Sequence, residues 1–208
     1  MDWSKFLNPY EQTVNELKLK LREMRKQYKQ QKNHAPIEFV TGRVKSVESI
    51  EEKMQRRQLT EDRLDEMEDI AGVRIMCQFV EDIYQVVSDL RKRKDMKITE
   101  ERDYVTNNKS SGYRSYHMVV EYPLQQIDGE KIVKAEIQIR TLAMNFWATI
   151  EHSLNYKYQG NFPTEIAERL KNAAEAAFML DNEMSRINEN IKEAQQYFTE
   201  KKNYNNRK

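Results

Sequence analysis

Two carboxylates sit among residues that could do chemistry on a phosphorylated substrate. Asp69 immediately precedes Ile70-Ala71-Gly72-Val73-Arg74, and Glu136 lies in the alternating run Lys134-Ala135-Glu136-Ile137-Gln138-Ile139-Arg140. A carboxylate can hold a divalent cation or accept a proton from a hydroxyl. At the entrance to a strand, Asp69 suits a metal ligand and equally suits a helix end or turn. Basic residues recur nearby in sequence: Gly42-Arg43-Val44-Lys45, with Lys53 following, and Lys109-Ser110-Ser111-Gly112-Tyr113-Arg114. Lys109 and Arg114 can pair with phosphate. Gly112 lets the backbone turn or approach a ligand, and Tyr113 offers a flat stacking surface. A pair of basic residues is ordinarily solvated surface, but a strand-to-helix turn adds backbone N–H groups that favour anions. The sequence has no G-x-x-x-x-G-K-[ST], no G-x-G-x-x-G, no H-E-x-x-H and no cysteine-based zinc pattern. Any nucleotide must therefore be held by side-chain cations and a metal. The residues describe a cleft for an anionic, aromatic ligand with two spare carboxylates.

The elements that must position these groups are legible from periodicity. Tyr10, Val14, Leu17, Leu21, Met24 and Tyr28 predict a helix from about Ser4 to Gln31, broken by Asn33 to Pro36. Ile37–Val44 reads as extended, Ser46–Arg57 and Thr60–Met67 as helices, Ala71–Phe79 as a strand and Val80–Arg93 as a helix. Lys97–Tyr104 reads as extended. Ser115–Tyr122 and Ile132–Arg140 are strands, joined through Asp128-Gly129 as a hairpin with a longer loop. Thr141–Tyr158 reads as helical. Alternation places Val73, Ile75, Cys77 and Phe79 on an apolar face, with Tyr116, Met118, Val120, Tyr122, Val133, Ala135, Ile137 and Ile139. Arg74, Gln78, Ser115, His117, Glu121, Lys134, Glu136, Gln138 and Arg140 fall on the other. A solvated sheet face would alternate in the same way; the acids and bases beside a glycine loop favour a site. The plan is α+β: a mixed or antiparallel sheet flanked by helices.

The chain of 208 residues, with 35 basic and 34 acidic side chains and net charge +1, suits one domain with helical extensions. A general nucleic-acid binder shows a clearer basic excess. The single cysteine, Cys77, excludes a disulfide within the chain and reads as a buried strand residue. No signal peptide or membrane span is legible, so a cytoplasmic protein with no membrane partner is expected.

Four ordered segments resemble one family. They are Gly42-Arg43-Val44-Lys45 with Ser49-Ile50 and Lys53; Asp69-Ile70-Ala71-Gly72-Val73-Arg74; Gly112-Tyr113-Arg114-Ser115-Tyr116-His117; and Glu136-Ile137-Gln138-Ile139-Arg140-Thr141. Together they resemble the synthetase domain of the RelA/SpoT family. With Met144-Asn145-Phe146-Trp147-Ala148, Glu151-His152 and the short length, the chain resembles the single-domain small alarmone synthetases of RelQ type. The resemblance covers roughly 37–158. It implies a nucleotidyltransferase-like fold and transfer of pyrophosphate from ATP to the 3′-hydroxyl of GDP or GTP. Synthesis without hydrolysis is expected, since no His-Asp dipeptide is present. The expected organisation is one synthetase domain over 1–208: an N-terminal helix (1–33), a catalytic core (37–158), a C-terminal helix (163–200) and a flexible tail (201–208).

Position by position, the resemblance implies that Arg43 and Arg74 flank adenine while Lys45 and Lys53 reach the ATP phosphates. Asp69 would hold Mg²⁺, with Glu136 as second ligand or as base. Tyr113 would stack on guanine; Lys109, Arg102 and His117 would contact phosphate or ribose. Gln138, Arg140 and Asn145 would line the guanine-nucleotide side. Many long members carry asparagine where Ser111 stands, so direct guanine contact from that position is in question.

The C-terminal apolar series Leu170, Ala173, Ala177, Leu180, Met184, Ile187, Ile191, Ala194 and Phe198 keeps a three-four spacing. It fits either packing on its own domain or a subunit interface, and the resemblance favours a homotetramer. The resemblance also implies an alarmone effector site, for which Arg22, Phe39, Thr41 and Asn145 are the candidates. The basic segments Arg22–Lys32 and Arg91–Lys97 leave RNA as a further partner, with little support from net charge.

Overall fold

The computed structural model describes residues 1–31, 34–158 and 162–205, and the side chains of all of these except 156, 157 and 199–205. The helices are α1 (Trp3–Gln31), α2 (Val47–Arg57), α3 (Val80–Arg91), α4 (Leu142–Lys157) and α5 (Thr164–Asn205). The strands are β1 (Phe39–Val44), β2 (Ala71–Cys77), β3 (Lys97–Asp103), β4 (Tyr116–Gln126) and β5 (Gly129–Thr141). They form one sheet in the order β1-β2-β5-β4-β3. The β2–β5 pair is parallel, and the other pairs are antiparallel. The sheet is thus mixed, because α3, β3 and β4 intervene before the chain returns beside β2.

Alternation along the strands sorts the faces as the sequence predicts. Val73, Ile75, Cys77, Met118, Val120, Tyr122, Ala135, Ile137 and Ile139 join Val14, Leu17 and Leu21 of α1 and Ile83, Val86 and Leu90 of α3 in one core. Each fully buried leucine there contributes about 1.5–3 kcal/mol of transfer free energy. Cys77 is fully buried, and burial pushes its thiol well above the ordinary range. It is a core residue.

Four boundaries differ from the sequence reading. β2 stops at Cys77, and Phe79 is instead the residue before α3, its N–H donating to Asp82 Oδ2 at 3.2 Å. The segment Glu61–Glu66 is a 3₁₀ helix rather than an α-helix. It buries only Leu64, too little apolar surface to hold a longer helix. The β4–β5 hairpin is tight: Gln126 pairs with Gly129, which takes φ +123°, leaving Ile127-Asp128 at the tip. The strands outrun the core there, and Pro123 is tolerated because β3 pairing ends at Glu121. α5 continues through Asn205, so 201–205 are helical rather than a tail, and 206–208 lie outside the described residues. The break expected at Asn33 also lies outside them.

α5 differs most from expectation. Among its described side chains the buried positions are Ala174 and Asp181, whereas Leu180, Met184, Ile187, Ile191 and Phe198 of the apolar series are exposed. This face does not pack on its own domain.

Candidate active site

Register lines up the predicted groups across the polar sheet face. Thr41, Arg74, Gln138, His117 and Arg102 form one row through all five strands. In the next row Arg43 and Glu136 flank Gly72, whose missing side chain opens space between them. A Cβ there would meet only the Arg43 carbonyl oxygen, at 3.6 Å. Thr41, Arg43, Asp69, Gly72, Arg74, Glu136 and Gln138 line one cavity. Two larger compartments adjoin it. One, of about 690 Å³, includes Arg43, Arg74, Lys109, Ser111, Tyr113, Gln138 and Arg140. The other, of about 560 Å³, includes Arg43, Lys45, Ser49, Lys53 and Arg56. Both volumes fall in the range of small-molecule sites.

Local structure explains the placement. Ser46 caps α2, accepting a hydrogen bond from Ser49 N–H at 3.3 Å. Helical spacing then puts Ser49, Lys53 and Arg56 on one face. Lys45 N–H donates to the Ile70 carbonyl at 2.9 Å, pinning the end of β1 beside the turn that carries Asp69. Lys45 Nζ and Lys53 Nζ each lie 2.7 Å from an Asp69 oxygen. Burial raises the Asp69 pKa, but the two lysines outweigh it and hold the carboxyl below its ordinary value.

Glu136 is held by a directed chain. His117 Nδ1 lies 2.7 Å from Glu136 Oε1, and Gln138 Nε2 donates to Oε2 at 2.7 Å. His117 Nε2 lies 2.8 Å from the Tyr113 hydroxyl, which accepts from Arg140 at 2.5 Å. Arginine can only donate and a carboxylate can only accept. With its Nδ1 proton directed at Glu136, His117 continues the chain that runs from Arg140 through Tyr113 to Glu136. Burial raises the Glu136 pKa; the His117 bond, its charge and Gln138 outweigh that, and the carboxyl lies below its ordinary value. Burial also raises the Tyr113 hydroxyl, against the lowering effect of Arg140. Arg74, bonded to Gln138 at 3.2 Å, is depressed by burial and by the nearby Arg140 and Arg43 cations. An anionic ligand would relieve that repulsion.

The structure brings Asp69, Glu136, Arg43, Lys45, Lys53, Arg74, Lys109, Tyr113, Gln138 and Arg140 to one cleft, with His117 behind it. Other assignments are altered. Arg114 does not face the cleft as a phosphate-pairing cation. Its guanidinium lies 3.7 Å from the centre of the Phe178 ring and donates to the Val105 carbonyl at 2.7 Å. Arg102 shares the His117 row, but its guanidinium is taken up by Glu100 and Glu68, at 2.5 and 2.8 Å. The Asn145 Oδ1 atom, on α4, is buried without a partner among the described residues. Thr41 belongs to the cleft itself, whereas α1, with the exposed Arg22, packs on the opposite sheet face. In the second basic segment Arg91, Lys92, Arg93 and Lys97 each pair with a carboxylate within 3.2 Å. That leaves less free charge for RNA.

Sequence reasoning missed two roles. Arg56 and His152 line both larger compartments. Arg56 was findable, three residues after Lys53 on the same helix face. His152 reaches the cleft because α4 folds over it, which no spacing reveals.

A mixed sheet that gathers carboxylates, phosphate-pairing cations and an aromatic loop on one face defines a nucleotide-handling transferase. The pattern described as "Region found in RelA / SpoT proteins" matches residues 42–161. The chain belongs to the RelA/SpoT family. It is 58% identical over 200 residues to the GTP pyrophosphokinase YjbM of Bacillus subtilis, covering 96% of this chain and 95% of that one. Its fold matches the B. subtilis small alarmone synthetase 1 bound to its product pppGpp with a TM-score of 0.88, at 58% identity over 91% of this chain and 97% of that one. The same protein bound to AMPCPP matches with a TM-score of 0.82, at 54% identity over 92% of this chain and 98% of that one.

Proposed function

We propose that this chain transfers the β,γ-pyrophosphoryl group of ATP to the ribose 3′-hydroxyl of GDP or GTP, releasing AMP. One observation carries the reading: Asp69 and Glu136 share a cavity with Arg43 and Arg74, between a lysine-bearing compartment and the Tyr113 loop. The names of its relatives point the same way.

In this reading ATP lies between Arg43 and Arg74, with Lys45, Lys53 and Arg56 drawing its phosphates. The acceptor lies on the other side, with Lys109 and Arg140 beside Tyr113. The 3′-oxygen bonds to the β-phosphorus as the bond from that phosphorus to the bridging oxygen of AMP breaks. Glu136 takes the hydroxyl proton. His117 and Gln138 hold its two oxygens in place. Phosphoryl transfer depends mainly on positioning and charge neutralisation, which these cations supply. Magnesium binds through one or two carboxylates together with substrate phosphates. Asp69 and Glu136, close enough that the Asp69 charge bears on Glu136, fit that donor set. Bound there, Mg²⁺ would neutralise phosphate charge.

The exposed Leu180, Met184, Ile187 and Ile191 favour a homo-oligomer, with a tetramer as the family's pattern. A pure monomer in a solution mass measurement discards this. An alarmone effector site drawing on Arg22, Phe39, Thr41 and Asn145 needs groups from more than one protomer, because Thr41 lies in the cleft and Arg22 on the opposite sheet face; the exposed Phe39 ring supports it. It falls if added pppGpp neither binds away from the cleft nor changes the rate. No helix among the described residues is long and apolar enough to cross a membrane, and a cytoplasmic location fits the nucleotide substrates.

The direct test incubates the protein with ATP, Mg²⁺ and GDP or GTP and resolves the nucleotides. AMP and a 3′-pyrophosphorylated guanosine nucleotide in equal amounts are expected. ATP left intact, or hydrolysed without transfer, overturns the reading.

A further inference from the structure

The loop that carries Tyr113 is held from behind by α5. Gly112 takes φ +89°, and a Cβ placed on it would stand 2.5 Å from the Ala174 Cβ. The two backbones approach so closely that only glycine fits opposite this alanine. Two residues on in the loop, Arg114 turns away from the cleft and stacks on Phe178, with Glu175 at 3.9 Å. Its Nε is buried without a hydrogen-bond partner, so the ring stack and the Val105 carbonyl hold it in place. Ala174 also packs with Trp147 and Ala148 against the back of Tyr113. Trp147 is itself tied to α5, donating to the Leu170 carbonyl at 2.8 Å.

The loop has its own turn, closed by Gly112 N–H to the Lys109 carbonyl at 2.8 Å and Lys109 N–H to the Tyr113 carbonyl at 3.2 Å. That turn fixes its internal shape. Its height above the sheet is bounded on one side by the Tyr113 hydroxyl bonds to His117 and Arg140 and on the other by Ala174 and Phe178. The ATP-side groups Arg43, Lys45, Lys53 and Arg56 sit on β1, its following turn and α2. They share none of these contacts.

We propose that Ala174 and Phe178 are positioning residues for the acceptor nucleotide: α5 sets the loop so that Tyr113 and Lys109 meet the guanosine, without touching it. The proposal rests on the reading of Tyr113 as the acceptor's stacking partner. It gives the first half of α5 a role distinct from its apolar outer face at Leu180, Met184 and Ile187.

The experiment compares Michaelis constants for ATP and for the acceptor in Phe178→Leu, Phe178→Tyr, Ala174→Val and Tyr113→Ala, all in the full chain. Phe178→Leu keeps apolar bulk but removes the ring face under Arg114. It should raise the acceptor KM about three- to thirtyfold, the range of a cation–π contact, and leave the ATP KM within about twofold. Phe178→Tyr keeps the ring and should restore parental values. Ala174→Val pushes directly on Gly112 and should raise the acceptor KM in the same way, carrying the test if Phe178→Leu does not fold. Unchanged acceptor KM in Phe178→Leu and Ala174→Val overturns the proposal. So do equal rises for both substrates with a fall in kcat, which mark general loosening. If Tyr113→Ala leaves the acceptor KM unchanged, the acceptor is bound elsewhere, and the underlying reading fails with the proposal.

Discussion

Nδ1 of His117 lies 2.7 Å from Glu136 Oε1, and the same ring meets the Tyr113 hydroxyl at 2.8 Å through Nε2. One imidazole therefore joins the carboxylate of the proposed chemistry to the aromatic residue of the proposed acceptor site. This makes His117 a positioning residue for Glu136. The bond also stabilises the carboxylate form and contributes to the lowered Glu136 pKa. Removing the ring should raise that pKa. Activity needs the unprotonated carboxylate, so the acidic limb of kcat/KM should move to higher pH in His117→Ala. Turnover at neutral pH should fall about tenfold or more as Glu136 loses its fixed orientation. A pH–rate profile that superimposes on the parent's contradicts this.

Asp69 is neutralised by Lys45 and Lys53 at 2.7 Å each. A triphosphate must compete with that carboxylate for both ammonium groups. Asp69→Asn releases them. Metal-free ATP should bind this variant more tightly than the parent, by about tenfold, or about 1.4 kcal/mol. Turnover with Mg²⁺ should nonetheless collapse, because the proposed metal ligand is gone. Calorimetric titration in chelator reads the first effect and nucleotide analysis the second. Weaker metal-free binding by the variant would show that the lysines do not exchange partners.

Much of the sheet and cleft was legible because two simple periods govern them. Alternation alone put Arg74, Glu136 and Gln138 on one face, and the register then brings them side by side. Helical spacing found α1, whose buried positions from Tyr10 to Tyr28 are those expected. Spacing failed where a residue's partner comes from far along the chain. Arg114 reads as a loop cation, yet its surroundings are set by Phe178 on a helix that the sequence does not place against the loop. Likewise, periodicity marked Leu180, Met184 and Ile187 as a seam but could not say that their own domain leaves them exposed. Arg102 fell to local competition: Glu100, two residues away, takes its charge.

Asp181 is 5% exposed on α5 and accepts a 2.6 Å hydrogen bond from Thr141, the residue that caps α4. Burial pushes its carboxyl up to about 6, against the lowering effect of Thr141. A raised carboxyl pKa means that the folded chain binds more protons than the unfolded chain between about pH 4 and 6. This group's contribution therefore falls as pH rises through that window. Asp181→Asn keeps an acceptor for Thr141 and removes the buried charge. It should stabilise the protein at pH 7 by roughly 1–3 kcal/mol and have little effect near pH 4. Denaturant titration at both values checks this, and equal stability of variant and parent at pH 7 contradicts it.

The central claim is that Glu136 is the proton acceptor in pyrophosphoryl transfer, and Glu136→Gln tests it most directly. Glutamine preserves size and can still accept a hydrogen bond from one of His117 and Gln138, but it cannot take the 3′-hydroxyl proton. Parent and variant would be compared for AMP and 3′-pyrophosphorylated guanosine product, with affinities for an ATP analogue and GDP measured alongside. The account predicts a loss in kcat of about 10²- to 10⁴-fold, with both affinities within a few-fold of the parent's. A variant that turns over within a few-fold of the parent would contradict it.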